Sequence, residues 1–304
     1  MKYDLEYYSS SKLKRTLEDL KKSATKSLKE SYCSVRKPQL NIELYHVIPD
    51  ELHLLLRIMD VLINNLVKDA INWDDSDNWK RKKSEHTNTH LTELKDARRS
   101  CGISFDVWEK KNADGKGSGQ YDFTSHMGAD KKKLLKELPS KFNGIIRPET
   151  CNTVEEIWQK FYIIYAMITC KKPTAEMMTD YHGKTKEWIN LFISMRDKMN
   201  GYKKANITPY MHIMVYHIPK FFELYKTIKV FTGQGVERNN DVARNIVLHK
   251  SNKFDSTGDI LRLESRQWEL KNQERSKRKY EKRNDHYWEH ELHLARKDKS
   301  RKLN

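Results

Sequence analysis

The stretch after Pro49-Asp50, ELHLLLRIMDVLINNLV, leaves this chain few ways to fold. At about 100° per residue, His53, Arg57, Asp60 and Asn64 share one narrow stripe of a helix running to about Val67, with Asp50 at the stripe's edge. Apart from Glu51 and Asn65, the rest of its circumference is Leu, Ile, Met and Val. A helix apolar nearly all round belongs in a core, so other elements must wrap it, and its polar seam must meet water, a cleft or a partner. Only 11 Gly and 7 Pro beside 33% charged residues favour long helices over a sandwich or barrel as the wrapping. The expected fold is mainly α, with one or two short strands.

The best strand signal is PQLNIELYHVI, where Leu40, Ile42 and Leu44 alternate with Asn41, Glu43 and Tyr45. Helical spacing recurs over Leu13 to Leu28, in part of Asp74 to Arg99, and around Tyr121 to Leu138, Val154 to Thr169, Thr174 to Met199 and Pro209 to Tyr225. A further helix opens at FTGQGVERNNDVARN, and a last one, rich in charge, starts near Asp259. NADGKGSGQ lacks the G-x-x-x-x-G-K-[ST] spacing of a phosphate loop and reads as a flexible connector. Three segments result: an N-terminal helix and orphan strand over 1–48, a helical region over 49–256, and a basic charged tail over 257–304.

A formal net charge of +16 on 304 residues points to a polyanionic partner. The four cysteines lie far apart with no C-x-x-C pair, which fits a reducing compartment rather than a disulfide framework. The longest apolar runs are broken by charge or too short for a bilayer, and the N-terminus lacks the apolar core of a signal peptide. The expectation is a soluble intracellular protein with no membrane partner and no small-molecule substrate.

Two places carry candidate chemistry. Glu237 opens a helix after two glycines, as a charge complementing the helix dipole or as a metal-binding carboxylate. His212 and His217 stand five apart in ITPYMHIMVYHIPKFF. In a regular helix five residues turn about 140° past alignment, so only a bend or a helix end would aim both rings at one ion. Zinc would also need two more ligands, and no suitably spaced cysteine pair is present.

The blocks PDELHLLLRIMD, NITPYMHIMVYHIPKFF and FTGQGVERNNDVARNIVLHKSNK, in this order, resemble the C-terminal half of RNase H-like DDE transposases and recombinases of the recombination-activating (V(D)J)/Transib group, over about Arg15 to Lys253. The resemblance implies that Glu237 matches the third catalytic acid and that Asp50 and His53 match a D-x-L-H pair beside the catalytic centre. It also implies that His212 and His217 match the histidine half of a structural zinc site, and that intact relatives cut and join DNA with Mg²⁺ or Mn²⁺. Glu237, Asp50 and His53 should then face a common cleft. The family places two catalytic aspartates and a C-x-x-C pair upstream of the D-x-L-H block, which only a few dozen residues precede here, so the expectation is a truncated, catalytically incomplete copy.

On that resemblance the chain is expected to be a nuclear, transposon-derived DNA-binding protein, with a homodimer as its candidate assembly. Arg57, Arg238, Arg244, Lys250 and Lys253 would contact phosphates, and RSKRKYEKR in the tail would serve as an import signal and phosphate-contacting arm. The other reading is a basic all-helical interaction protein without DNA chemistry.

Overall fold

A computed structural model describes residues 15–27, 30–31, 34–273 and 294. The protein is mainly helical, with one two-stranded antiparallel sheet among the described residues. The expected import signal and nearly all of the C-terminal arm lie outside the described residues, as do the first residues of the expected N-terminal helix. The chain divides into two compact units, Met1–Gly235 and Val236–Asn304. The division falls inside the FTGQGVERNN block.

In the first unit, α1 (Leu17–Ser23) begins at a reciprocal cap, in which the Thr16 hydroxyl accepts from the Asp19 amide and the Asp19 carboxylate accepts from that of Thr16. The long apolar helix is α2 (Glu51–Asn78), 28 residues that continue well past Val67. Leu54, Leu55, Ile58, Met59, Leu62, Ile63 and Leu66 are buried, as apolarity on nearly every side requires. α3 (Thr89–Ser100) packs on α2 and has no cap of its own at Asn88. Asp74 of α2 supplies one, accepting the His90 and Leu91 amides at 2.9 and 3.0 Å. This contact explains why the polar end of α2 stays helical.

Strands β1 (Val107–Lys111) and β2 (Gly117–Phe123) then form a hairpin with Val107 opposite Phe123 and Glu109 opposite Tyr121. Four further helical pieces follow: α4 (Gly128–Glu137), α5 (Pro148–Ile168), α6 (Ala175–Ser194) and the run from Pro209 to Tyr225. That run is α7 (Pro209–His212), a π-helical turn (Ile213–His217) and α8 (Ile218–Tyr225). α4 and α5 pack on α2, and α6 packs on α5 through Trp188, whose indole N–H donates to the Ile157 carbonyl at 2.8 Å. The Tyr181 hydroxyl likewise donates to the Met214 carbonyl at 3.1 Å, so the buried aromatic polar atoms help fix how the helices stack.

Three expectations are corrected here. Leu40 to Val47 is not a strand: it is extended coil with a single 3₁₀ turn at Leu44–His46, and Leu40 and Ile42 are exposed. Alternation alone makes no strand without a neighbour to complete the ladder. The connector read at NADGKGSGQ is the turn and second strand of the hairpin, with Gly115 at φ +79° where an L side chain would be strained. The helix expected from Tyr121 starts only at Gly128.

One buried charge stands out in this unit. Arg98 of α3 is 1% exposed, and its guanidinium lies 3.5 Å from the Phe105 ring centre, with no hydrogen-bond partner for its nitrogens among the described residues. Burial pushes its pKa down to about 9. Beside it, burial and then the Arg98 charge push His126 down to about 4, so that ring is neutral at pH 7.

The second unit holds most of α9 (Gln234–His249) and all of α10 (Ser256–Asn272). Asp255 caps α10 through the Gly258 amide at 2.9 Å, and Asn239 of α9 donates to Glu264 of α10 at 3.1 Å. Among the described residues, no helix is long and apolar enough to cross a membrane.

Candidate functional site

At the start of α2 the chain gathers three of the motif segments' polar groups. Asp50 is the helix N-cap, and one carboxylate oxygen accepts from the Leu52 amide at 3.3 Å and from the Gly233 amide at 3.1 Å. The other oxygen shares a hydrogen bond with His53 Nδ1 at 2.5 Å. Burial pushes the Asp50 pKa up, but the bonds from Gly233 and His53 outweigh it and hold the carboxyl below its ordinary range. Next to it Glu51 is fully buried and pairs with Lys229 Nζ at 2.5 Å. Burial, then the charges of Glu51 and Asp50, push the Tyr165 hydroxyl pKa upward.

Asp50 therefore holds two things together: the first turn of its own helix and the glycine turn that leads to Glu237. A Cβ on Gly233 would come within 3.0 Å of the Asp50 carboxylate, so the closeness of this contact depends on glycine. Replacing Asp50 with alanine is expected to destabilise the first unit by about 2 kcal/mol, the loss of a helix cap plus charge-assisted hydrogen bonds. Urea unfolding measures it, and a change below about 0.5 kcal/mol would show that neither contact matters in solution. Because the folded pKa is depressed, this contribution is present above the ordinary carboxylate range and fades as pH falls through the folded value.

The seam on α2 has mixed neighbours. His53 is tied to Asp50, and Arg57 is exposed. Asp60 pairs with buried Lys131 of α4, whose Nζ also donates to the Leu56 carbonyl at 3.1 Å. Asn64 opens onto a cleft of about 800 Å³ that continues along Lys68, Asp69, Asn72 and Asp75, beyond the expected end of the helix. The chain's sequence carries a signal for this: Asn65, Asp69 and Asn72 recur at spacings of 4 and 3, one helical face.

His212 and His217 do meet. The π-helical turn replaces i→i+4 with i→i+5 hydrogen bonding, so a five-residue step brings both rings to one side, with centroids 5.2 Å apart. Burial lowers both pKa values, and for His212 the neighbouring His217 adds to the effect, which favours the neutral rings. No third ligand joins them: among the described residues no group of three or more His, Cys, Asp or Glu side chains could hold a metal ion. The described donors thus make up neither a full zinc site nor a two-metal carboxylate centre.

Glu237 lies in the second unit, exposed in the first turn of α9, where its charge complements the helix dipole. Arg238, Lys250 and Lys253 are exposed and form no ion pair with any described residue, and Arg244 pairs with Asp241 at 3.0 Å. No family model matches the chain, and no curated protein matches it.

Proposed function

We propose that this chain is a DNA-binding protein descended from a DDE transposase, acting without a complete catalytic carboxylate set of its own. The observation that carries the reading is charge. On a protein of net charge +16, Arg57, Arg238, Lys250 and Lys253 are all exposed without an ion-pair partner among the described residues, the state that phosphate contact requires. The ordered resemblance of three sequence blocks supplies the ancestry, with Glu237 as the residual acid and His212 and His217 as the residual zinc half. In the intact relatives Mg²⁺ or Mn²⁺ would polarise the phosphate, and Asp50 and His53 would stand beside that centre. Nuclear localisation follows from the same ancestry.

A salt titration tests the reading. Four phosphate contacts give a slope near −3.6 in log affinity against log salt, so duplex affinity should fall roughly 100-fold between 50 and 200 mM salt. Arg238→Glu with Lys250→Glu should flatten that slope by about two units for all sequences alike. A slope shallower than about one would overturn the DNA reading in favour of a basic interaction protein.

A further inference from the structure

Between α2 and α3 the chain makes a loop, Trp79 to Asn88, whose sequence WKRKKSEHTN carries four cations in a row. Its ends are fastened together. The Asn78 side-chain nitrogen donates to the Thr87 carbonyl at 2.7 Å, while the Asn78 side-chain oxygen accepts from the Thr87 amide at 3.0 Å. Inside the loop the Arg81 guanidinium donates to the Thr87 hydroxyl at 3.3 Å, and His86 Nε2 shares a hydrogen bond with the Arg81 carbonyl at 3.2 Å. This inward bonding leaves Trp79, Lys80, Lys82 and Lys83 facing water. Trp79 is 85% exposed, and the three lysines are exposed as well. Of the acids nearby in sequence, Asp74 caps α3 and Asp77 faces His90 at 3.2 Å. Among the described residues neither these nor Asp75 and Glu85 form an ion pair with the lysines.

We propose that this loop binds single-stranded nucleic acid, with one base stacked on the Trp79 indole and neighbouring phosphates on Lys80, Lys82 and Lys83. Every base has a π face, so one ring serves any sequence, and the lysines neutralise the backbone beside it. In a duplex those faces are already stacked inside, and the indole finds one only at an end or an opened base pair. An anionic membrane also has a use for tryptophan beside lysine, but binding there grows with the apolar area buried. From Lys80 to Asn88 no residue of the loop is apolar. One ring is little for a bilayer and sufficient for a base. Because Asn78, Arg81 and His86 already close the loop, little ordering entropy remains to be lost on binding. The inference goes beyond the duplex reading and does not rest on it: that reading uses Arg57, Arg238, Lys250 and Lys253 and no aromatic side chain.

Fluorescence anisotropy of the full chain with a labelled oligothymidylate of about 12 nucleotides, beside a duplex of the same length, is the test. Trp79→Ala should weaken strand binding roughly tenfold, the scale of one lost base–aromatic stack, and leave duplex affinity within about twofold. Trp79→Phe should recover most of that loss, since a smaller ring still stacks. Lys82→Ala with Lys83→Ala should flatten the strand's salt slope by about 1.4, at about 0.7 per phosphate contact. Unchanged strand affinity in Trp79→Ala, an equal loss on strand and duplex, or an unmoved slope in the double lysine variant would overturn the proposal. Binding to phosphatidylserine vesicles that requires Trp79, with no strand defect in the same variant, would overturn it in favour of a membrane. The duplex slope of the Arg238 and Lys250 variant is measured separately, so either result can fail while the other stands.

Discussion

Arg98→Met is expected to stabilise the protein. Depressing a guanidinium from its ordinary range to about 9 is a penalty of about 4 to 5 kcal/mol against the charged form, and at pH 7 the group is charged in both folded and unfolded chains. The Phe105 face returns about 1 to 2 kcal/mol of this as a cation–π contact. Methionine keeps the apolar stem and fills the space over the ring, so the net gain should be about 3 kcal/mol, in line with buried ionic groups replaced by packed apolar ones. His126 should report the same change, because removing a neighbouring positive charge lets its pKa rise from about 4. Chemical denaturation gives the first quantity and NMR titration of the ring the second. A loss of stability together with an unmoved His126 would mean that water or an anion already serves the guanidinium.

Asp69→Asn has the second large effect, and its sign depends on pH. Burial raises this carboxyl from 3.8 to about 6, against the opposing pull of Arg147 and then His90. A folded carboxyl that holds its proton more tightly than the unfolded one gains stability as pH falls. The Asp69 contribution to stability should therefore be fully present below about pH 4, decline through the window from about 4 to about 6, and be lost above it. About two pKa units correspond to about 3 kcal/mol, so the asparagine variant should be more stable by about that amount at pH 7 and no different near pH 4. Unfolding curves at the two pH values check it. A gain that is the same at both would trace to the change of shape, and no gain at either would show that the carboxylate is hydrated.

These two residues show where the sequence is legible and where it is not. The start of α2 is written locally, in Pro49, the Asp50 cap and a run of apolar side chains, and it was readable. Its end is written elsewhere: Lys68 to Asn78 stays helical while Asp74 caps α3 and Arg147 bonds the Asn72 carbonyl and Ser76 hydroxyl, contacts made across the fold. Stopping the helix at Val67 hid Asp69, though its polar face was present in the spacing. The hairpin was missed because its strands are largely exposed and show no apolar alternation. The histidine pair needed a π-helical turn, and one residue of extra winding leaves no mark in a helical pattern. The contact of Asp50 with Gly233 joins residues 183 apart, which no local pattern encodes, and its atoms serve as a cap and a tether.

The same helix carries Asp50 at one end and Asp69 nineteen residues further along, a separation of about 28 Å at the rise of an α-helix. With its apolar side buried along that length and no glycine or proline between the two positions, the helix holds the Gly233 tether and the Asp69 wall of the cleft in a single register.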